Sequence, residues 1–312
     1  GFLQAGFDVI WANEFDERAS QTYRSNFSST LLTEDIRKVK ASAIPDFDIM
    51  VGGFPCQAFS LAGKLLGFGD ERGNLFFELE RILKEKKPKA VFLENVKNLI
   101  NHDNGNTYRV IWSRLTEAGY FVREQIMNSC EYGNLPQNRE RIYIVGFRDR
   151  KVYERFYFPR PIPLTTKLAD CINMVEPVEE NFYYRRGTCR FYDTLASGVK
   201  HSNTLYQWRR HYVRQNQRGL CPTLTANMGT GGHNVPIVKT KFGIRKLTPR
   251  ECFNFMGYPK DYKLPNLNNS CLYKQAGNSV TVPVIKRIAE AMKSAIEEQE
   301  PRIERYQQLQ LF

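Results

Sequence analysis

At 312 residues the chain is long enough to bury a substantial core, as one large domain or two unequal ones. Its 45 basic residues against 33 acidic ones leave a formal net charge of +12, which favours a polyanionic partner, although a basic solvated surface would also account for it. Seven cysteines, an odd number without metal-type spacing, point to free thiols in a reducing compartment. There is no signal-peptide pattern and no apolar run near the roughly 20 residues of a membrane span, so a soluble, cytoplasmic protein is expected.

The first 147 residues repeat one rhythm, a short apolar strand followed by an amphipathic helix. Val9 to Ala12 predicts a strand leading into Asn13-Glu14-Phe15-Asp16 and a helix over 17–26. Phe47 to Val51 predicts the next strand, Leu75 to Lys84 a helix, and Ala90 to Leu93 a buried strand. A helix over Thr107 to Ala118 follows, then strands near 121–127 and at Arg141 to Phe147. Such alternation indicates a parallel, three-layer α/β domain with ligands at the C-terminal strand ends. From 148 to 245 aromatic and basic residues and scattered glycines suggest a smaller, irregular, strand-rich domain. Thr248-Pro249-Arg250-Glu251 is a helix start, and Val282 to Glu297 has the spacing of a helix packed on one face, so 246–312 is expected to return to the first domain.

The turn Gly52-Gly53-Phe54-Pro55-Cys56-Gln57 follows a strand directly, which delivers Cys56 to the expected ligand edge. A thiol there is either a nucleophile, its thiolate favoured by cations such as Arg139 and Arg141, or a buried structural cysteine. Glu94 ends the run Ala90 to Leu93 and is either a strand-end acid or a proton donor facing a ligand. A carboxyl group beside a pyrimidine can hold its N3 edge and ease attack at C6. Glu14 suits ribose hydroxyls, Phe15 an adenine face and Asp35 an exocyclic amine, with surface acid and core aromatic as the plain alternatives. Between Tyr206 and Arg218, Arg209, Arg210 and Arg214 interleave with aromatics, which fits phosphate holding or guanine reading as well as a solvated strand face. The glycine-rich stretch at 229–232 suits close passage beside a nucleic-acid backbone, or a flexible loop.

Six segments in order resemble the cytosine-C5 DNA methyltransferases, in particular the compact bacterial restriction–modification type: Asn13-Glu14-Phe15-Asp16, Glu34-Asp35-Ile36, Gly53-Phe54-Pro55-Cys56-Gln57, Glu94-Asn95-Val96, Gln137-Asn138-Arg139-Glu140-Arg141 and Gly277-Asn278-Ser279-Val280. The resemblance implies a Rossmann-like domain that binds S-adenosylmethionine, releases S-adenosylhomocysteine and needs no metal. It implies attack by Cys56 on C6 of a cytosine flipped out of duplex DNA, with Glu94 at N3 and Arg139 and Arg141 as catalytic partners. Glu14, Phe15, Asp35, Pro55, Asn278 and Ser279 would line the cofactor site. Gln57 and Ser60 of a closing loop, with Arg209, Arg210, Arg214, Thr223, Gly231 and His233 of a target-recognition domain, would meet DNA. A monomer is expected, with a cognate restriction endonuclease as system partner but no stable complex and no membrane.

The family's opening Phe-x-Gly-x-Gly-Gly segment does not occur in this sequence. It is omitted, supplied by a second chain or truly absent; omission is expected, because the other motifs carry no catalytic substitution. A tRNA cytosine-C5 methyltransferase is the enzymatic alternative, disfavoured because the Cys-Phe-Thr segment of such relatives is missing. A catalytically inactive DNA-binding homologue is the other.

Overall fold

The computed structural model describes residues 1–55, 75–217, 219–230 and 234–297. Cys56, Gln57, Ser60, Arg218, Gly231 and His233 therefore lie outside the described residues. The architecture is a mixed α/β core with a smaller β-rich part. Its first strands, β1 (Trp11–Asn13) and β2 (Thr30–Leu32), pair in parallel across helix α1 (Glu17–Asn26). Asp16 caps α1, accepting from the backbone N–H groups of Arg18 and Ala19.

A four-stranded sheet follows in the order β3-β4-β6-β5, with β3 at Ile49–Gly53, β4 at Ala90–Val96, β5 at Phe121–Asn128 and β6 at Glu140–Phe147. The helices α2 (Leu75–Lys86) and α3 (Asn106–Glu117) connect its strands. Alternation along β4 explains the layers. Val91 and Leu93 face Phe76, Leu83, Ile111 and Leu115. Ala90 and Phe92 face the other way, into Ile285, Ile288 and Met292 of a C-terminal helix, α7 (Val282–Ile296). Both faces are thus covered, which is why β4 reads as a continuous apolar run.

The expected all-parallel sheet is corrected in one respect: β6 runs antiparallel to both β4 and β5. A parallel return needs a crossover of about a dozen residues or more. Here the link from Asn128 to Glu140 is short and already spends part of its length on a helical turn at Ser129–Tyr132. Reversal places Arg141 opposite Val96, one step beyond the register pairs Asn95–Ile142 and Glu94–Tyr143.

The second sheet is antiparallel, in the order β10-β9-β7-β8, from β7 (Tyr206–Arg209), β8 (Tyr212–Gln215), β9 (Ile237–Thr240) and β10 (Gly243–Lys246). Tyr206, Ile237 and Ile244 form its small core with Leu195 and Val199, at and just after helix α4 (Tyr192–Gly198). Trp208 stacks on Phe191 with ring centroids 4.3 Å apart. Residues just past position 147 still pack on the first core, where Phe156 meets Phe147. No helix among the described residues is long and apolar enough to cross a membrane.

Two further helices, α5 (Pro249–Phe255) and α6 (Asn269–Asn278), precede α7. The predicted start of α5 is a capping box between Thr248 and Glu251, with Pro249 in the first turn. The same Glu251 carboxylate takes Arg245 Nη1 and Nη2 at 2.8 and 2.7 Å and the backbone N–H of Asn173 at 2.8 Å. Both side chains are buried, and the pair joins β10, α5 and the 173 segment directly. Removing one partner of a buried, hydrogen-bonded pair leaves an uncompensated charge. Glu251→Ala is expected to lower the free energy of urea unfolding by about 3–5 kcal/mol, whereas Arg245→Met with Glu251→Leu recovers most of it.

Candidate active site

The site gathers at the C-terminal ends of the strands. Glu94 is the fifth residue of β4 and its register partner on β3 is Gly53, which leads through Phe54 to Pro55. Asn95, buried on the opposite face of β4, donates from Nδ2 to the Phe54 carbonyl at 2.7 Å. That bond fixes the turn before Cys56. Sequence reasoning passed over Asn95, although a buried amide between a strand-end acid and a valine is a signal in itself, since it must find a partner.

Arg141 Nε lies 3.1 Å from Glu94 Oε1, and its Nη1 donates to the Glu140 carbonyl at 2.8 Å. Burial pushes the Glu94 carboxyl above its ordinary value, and the positive charges of Arg141 and Arg139 act against that rise. Behind Glu94 stands its cross-strand neighbour Tyr143, fully buried and sharing a hydrogen bond with Thr281. Thr281 in turn receives the Ser129 hydroxyl at 3.2 Å. A carboxyl so placed holds its proton at higher pH than a solvated one, and is held in one orientation.

The two expected catalytic arginines part company. Arg139 is 2% exposed. Its Nη1 donates to Leu224 O at 2.7 Å and its Nη2 to Ser279 O at 2.7 Å and Gly277 O at 3.3 Å. Burial and the neighbouring Arg141 push it down to about 10. Its charge reaches Glu94, but its hydrogen bonds are spent on main-chain carbonyls.

The expected cofactor residues collect beside β1 and β2. Asn13 Nδ2 donates to Leu32 O at 3.0 Å and Glu34 O at 2.8 Å, which draws the two strand ends together. Glu14 follows β1 and its Oε1 accepts from the Asp16 N–H at 2.9 Å. Phe15 is 71% exposed, a large ring presented to solvent. Asp35 is gripped by Arg37, from Nε to both carboxylate oxygens at 2.9 Å and again from Nη2. The guanidinium holds the Asp35 carboxyl at about 2. Asn278 is the exposed last residue of α6; one turn earlier Lys274 donates to Asp16 Oδ2 at 3.2 Å, which ties α6 to the start of α1. The Ser279 hydroxyl is occupied with Ala276 O at 2.8 Å, so its side chain braces the turn.

Of the expected DNA contacts, Arg209 and Arg210 are exposed at the tip of the β7–β8 hairpin, and Arg214 is exposed on the edge strand β8. Arg210 has φ 51°, a left-handed conformation that costs a non-glycine residue energy. Tyr212, which sequence reasoning left out of the site, stands 59% exposed beside them. The Thr223 hydroxyl donates to Asn138 O at 2.6 Å, so it fastens its own segment to the arginine segment. Buried Gln137 does the same, donating to Phe255 O at 2.8 Å and accepting from Leu224 N at 3.3 Å.

Comparison with known proteins agrees with this geometry. Residues 1–294 match the family described as C-5 cytosine-specific DNA methylase. The type II methyltransferase M.Bsp6I of Bacillus sp. (strain RFL6) is 57% identical over 292 residues, 93% of each chain. M.HhaI of Haemophilus parahaemolyticus, also a type II methyltransferase, is 39% identical over 302 residues, 93% of this chain and 89% of that one. In fold, a DNMT2 structure from Spodoptera frugiperda is similar with a TM-score of 0.70 at 21% identity, covering 95% of both chains. The chain belongs to the C-5 cytosine-specific DNA methylases. Its cofactor is S-adenosylmethionine, its activity is methyl transfer to cytosine C5 and DNA is its binding partner. The residues present fit that cofactor: an open aromatic face at Phe15 and two carboxylates, Glu14 and Asp35, sit at adjacent ends of parallel strands.

Because Arg141 lowers the proton affinity of Glu94 while burial raises it, deleting the arginine has a definite sign. In infrared difference titrations against Glu94→Gln, the wild-type carboxyl is expected to titrate above 4.5, and in Arg141→Met higher still. A shift towards lower pH would contradict the geometry.

Proposed function

We propose that this enzyme methylates C5 of a cytosine swung out of a duplex at a defined DNA sequence, through a covalent bond between Cys56 and C6. The observation that supports this most is the placement of Glu94: buried, raised in proton affinity, held by Arg141, and in register with the strand that runs into Pro55 and Cys56. In this reading the Cys56 thiolate forms a bond to C6 while Glu94 gives its proton to N3, so the electron pair of the ring double bond becomes available at C5. When bound, S-adenosylmethionine supplies a methyl group on a positively charged sulfur. Held by Glu14, Phe15, Asp35 and Asn278, it would supply that methyl group to C5 and would keep the pair of the broken bond on sulfur. Loss of the C5 proton to a base then re-forms the double bond, the C6–sulfur bond breaks, and the N3 proton returns to Glu94. Arg141 keeps Glu94 aimed at the ring and offsets the charge it acquires on giving up the proton.

Glu14 would hold the ribose and Phe15 the adenine face. Asp35 would take the exocyclic amine once Arg37 swings aside, and Asn278 would meet the amino-acid end. Residues 1–147 would form the catalytic and cofactor-binding domain, 148–245 the target-recognition domain, and 246–312 the returning segment. Arg209, Arg210 and Arg214 would meet the duplex, and Gln57, Ser60, Gly231 and His233 join them on sequence grounds. The enzyme would act as a monomer in the bacterial cytoplasm or nucleoid, beside a cognate endonuclease without a stable complex.

The test is transfer from labelled S-adenosylmethionine to duplex DNA and to tRNA, with bisulfite mapping of the target. Methylation of duplex is expected and Cys56→Ser is expected to abolish it. A duplex bearing 5-fluorocytosine should remain covalently attached to wild type after methyl transfer, because fluorine cannot leave C5 as a proton does. Transfer to tRNA alone would overturn the DNA reading. Turnover without any trapped adduct would overturn the covalent step.

A further inference from the structure

We infer that Arg139 is a positioning residue that couples duplex engagement to cofactor binding. The inference rests on the reading of residues 148–245 as the recognition domain and of Asn278 as a cofactor contact. Its basis is the set of atoms one guanidinium group joins. Leu224 lies on the connection between β8 and β9 of the second sheet, where it packs with Phe253, Tyr273 and Ala276, and its carbonyl takes Arg139 Nη1. Gly277 and Ser279 flank Asn278, and their carbonyls take Arg139 Nη2. Arg139 itself is fixed from behind. Its backbone N–H donates to Asn128 Oδ1 at 3.0 Å and its carbonyl accepts from the Ser129 N–H at 3.0 Å. The fork therefore has a rigid handle on the catalytic sheet and prongs in two different functional segments.

A second contact makes those segments move together. A Cβ on Gly277 would lie 2.1 Å from the Thr225 carbonyl carbon and 2.3 Å from the Ala226 nitrogen. A Cβ on Gly229 would lie 2.4 Å from the Ser270 carbonyl oxygen. Residues 225–229 thus lie backbone to backbone along α6, through glycines at both ends. A displacement of this segment on meeting DNA either carries the Gly277–Ser279 turn with it or strips buried carbonyls of their charged donor. Such a link acts in both directions: if duplex tightens the cofactor, the cofactor tightens duplex by the same factor. Among the described residues Arg139 makes no hydrogen bond to Glu94, and its Nη1 and Nη2 go to main-chain carbonyls, which separates its part from that of Arg141. A lysine keeps the charge but cannot reproduce a planar fork across three carbonyls.

The experiment measures S-adenosylhomocysteine affinity by calorimetry with and without the duplex that wild type methylates, and duplex affinity with and without S-adenosylhomocysteine. Wild type is expected to show reciprocal tightening of about 5–150-fold. Arg139→Lys and Arg139→Gln should keep each separate affinity little changed while the coupling factor falls close to one. Hydrogen exchange on unmodified protein asks the same question without a variant. S-adenosylhomocysteine alone should slow exchange of the Met228 and Thr230 amides as well as that of Ser279. Unchanged exchange at 228–230, a wild type that binds its two ligands independently, or variants with wild-type coupling would each overturn the proposal. A wild type that binds no duplex would instead overturn the recognition reading beneath it.

Discussion

A carboxyl group taken out of water at the end of a buried strand sets the terms for much of this molecule. Glu94 loses hydration because β4 is covered on both faces, by α2 and α3 on one side and α7 on the other. Left alone, such a group would simply stay neutral. Arg141 restores part of the balance at 3.1 Å, so the acid neither ionises as freely as a surface glutamate nor loses the ability to do so. That intermediate state is what a group must have if it is to lend a proton and recover it. The covering layers, the reversed strand that carries Arg141 and the Tyr143–Thr281–Ser129 chain behind it all serve to keep that one carboxyl dry and aimed.

Reversal of β6 has a further consequence. A parallel strand in that place would start at the opposite edge and bring only its last residues to the C-terminal edge. The antiparallel one starts at that edge, so Glu140 and Arg141 arrive beside Glu94 at once, directly after the bend that holds Gln137 and Arg139. The bend is bound to the segment between β8 and β9 through Gln137, Asn138 and Arg139, which meet Cys221, Thr223 and Leu224. Five consecutive residues therefore serve both the acid and the junction with the second sheet.

The sequence made the catalytic layer legible because its signals are local. Strand β4 is a four-residue apolar run closed by an acid, and α1 and α7 have caps or apolar spacing that need no knowledge of the rest of the chain. Element ends came within a few residues. Direction of β6 was not legible, since apolar periodicity is the same for a strand run either way. The occupation of Asp35 was missed for a different reason: Arg37 stands two residues on, and only the tight turn that Asp35 itself caps brings the guanidinium back onto the carboxylate. Glu251 was read as a helix-start acid, which it is, but its partner Arg245 comes from a strand whose approach no local pattern records.

The two arginines of the Gln137–Arg141 segment show the limit most clearly. Spacing of two puts side chains on one face of a strand, so a linear reading sends Arg139 and Arg141 to the same pocket. That rule holds only while both residues belong to the strand. Glu140 is the first residue of β6, and Arg139 lies before it, where the chain is bent by a bridge between Gln137 and Cys221. Arg141 obeys the sheet and meets the carboxylate; Arg139 obeys the bend and meets three carbonyls. One needs the charge of its guanidinium and the other needs its shape. A lysine at 141 would keep much of its electrostatic part, whereas at 139 the loss of planarity removes the junction itself.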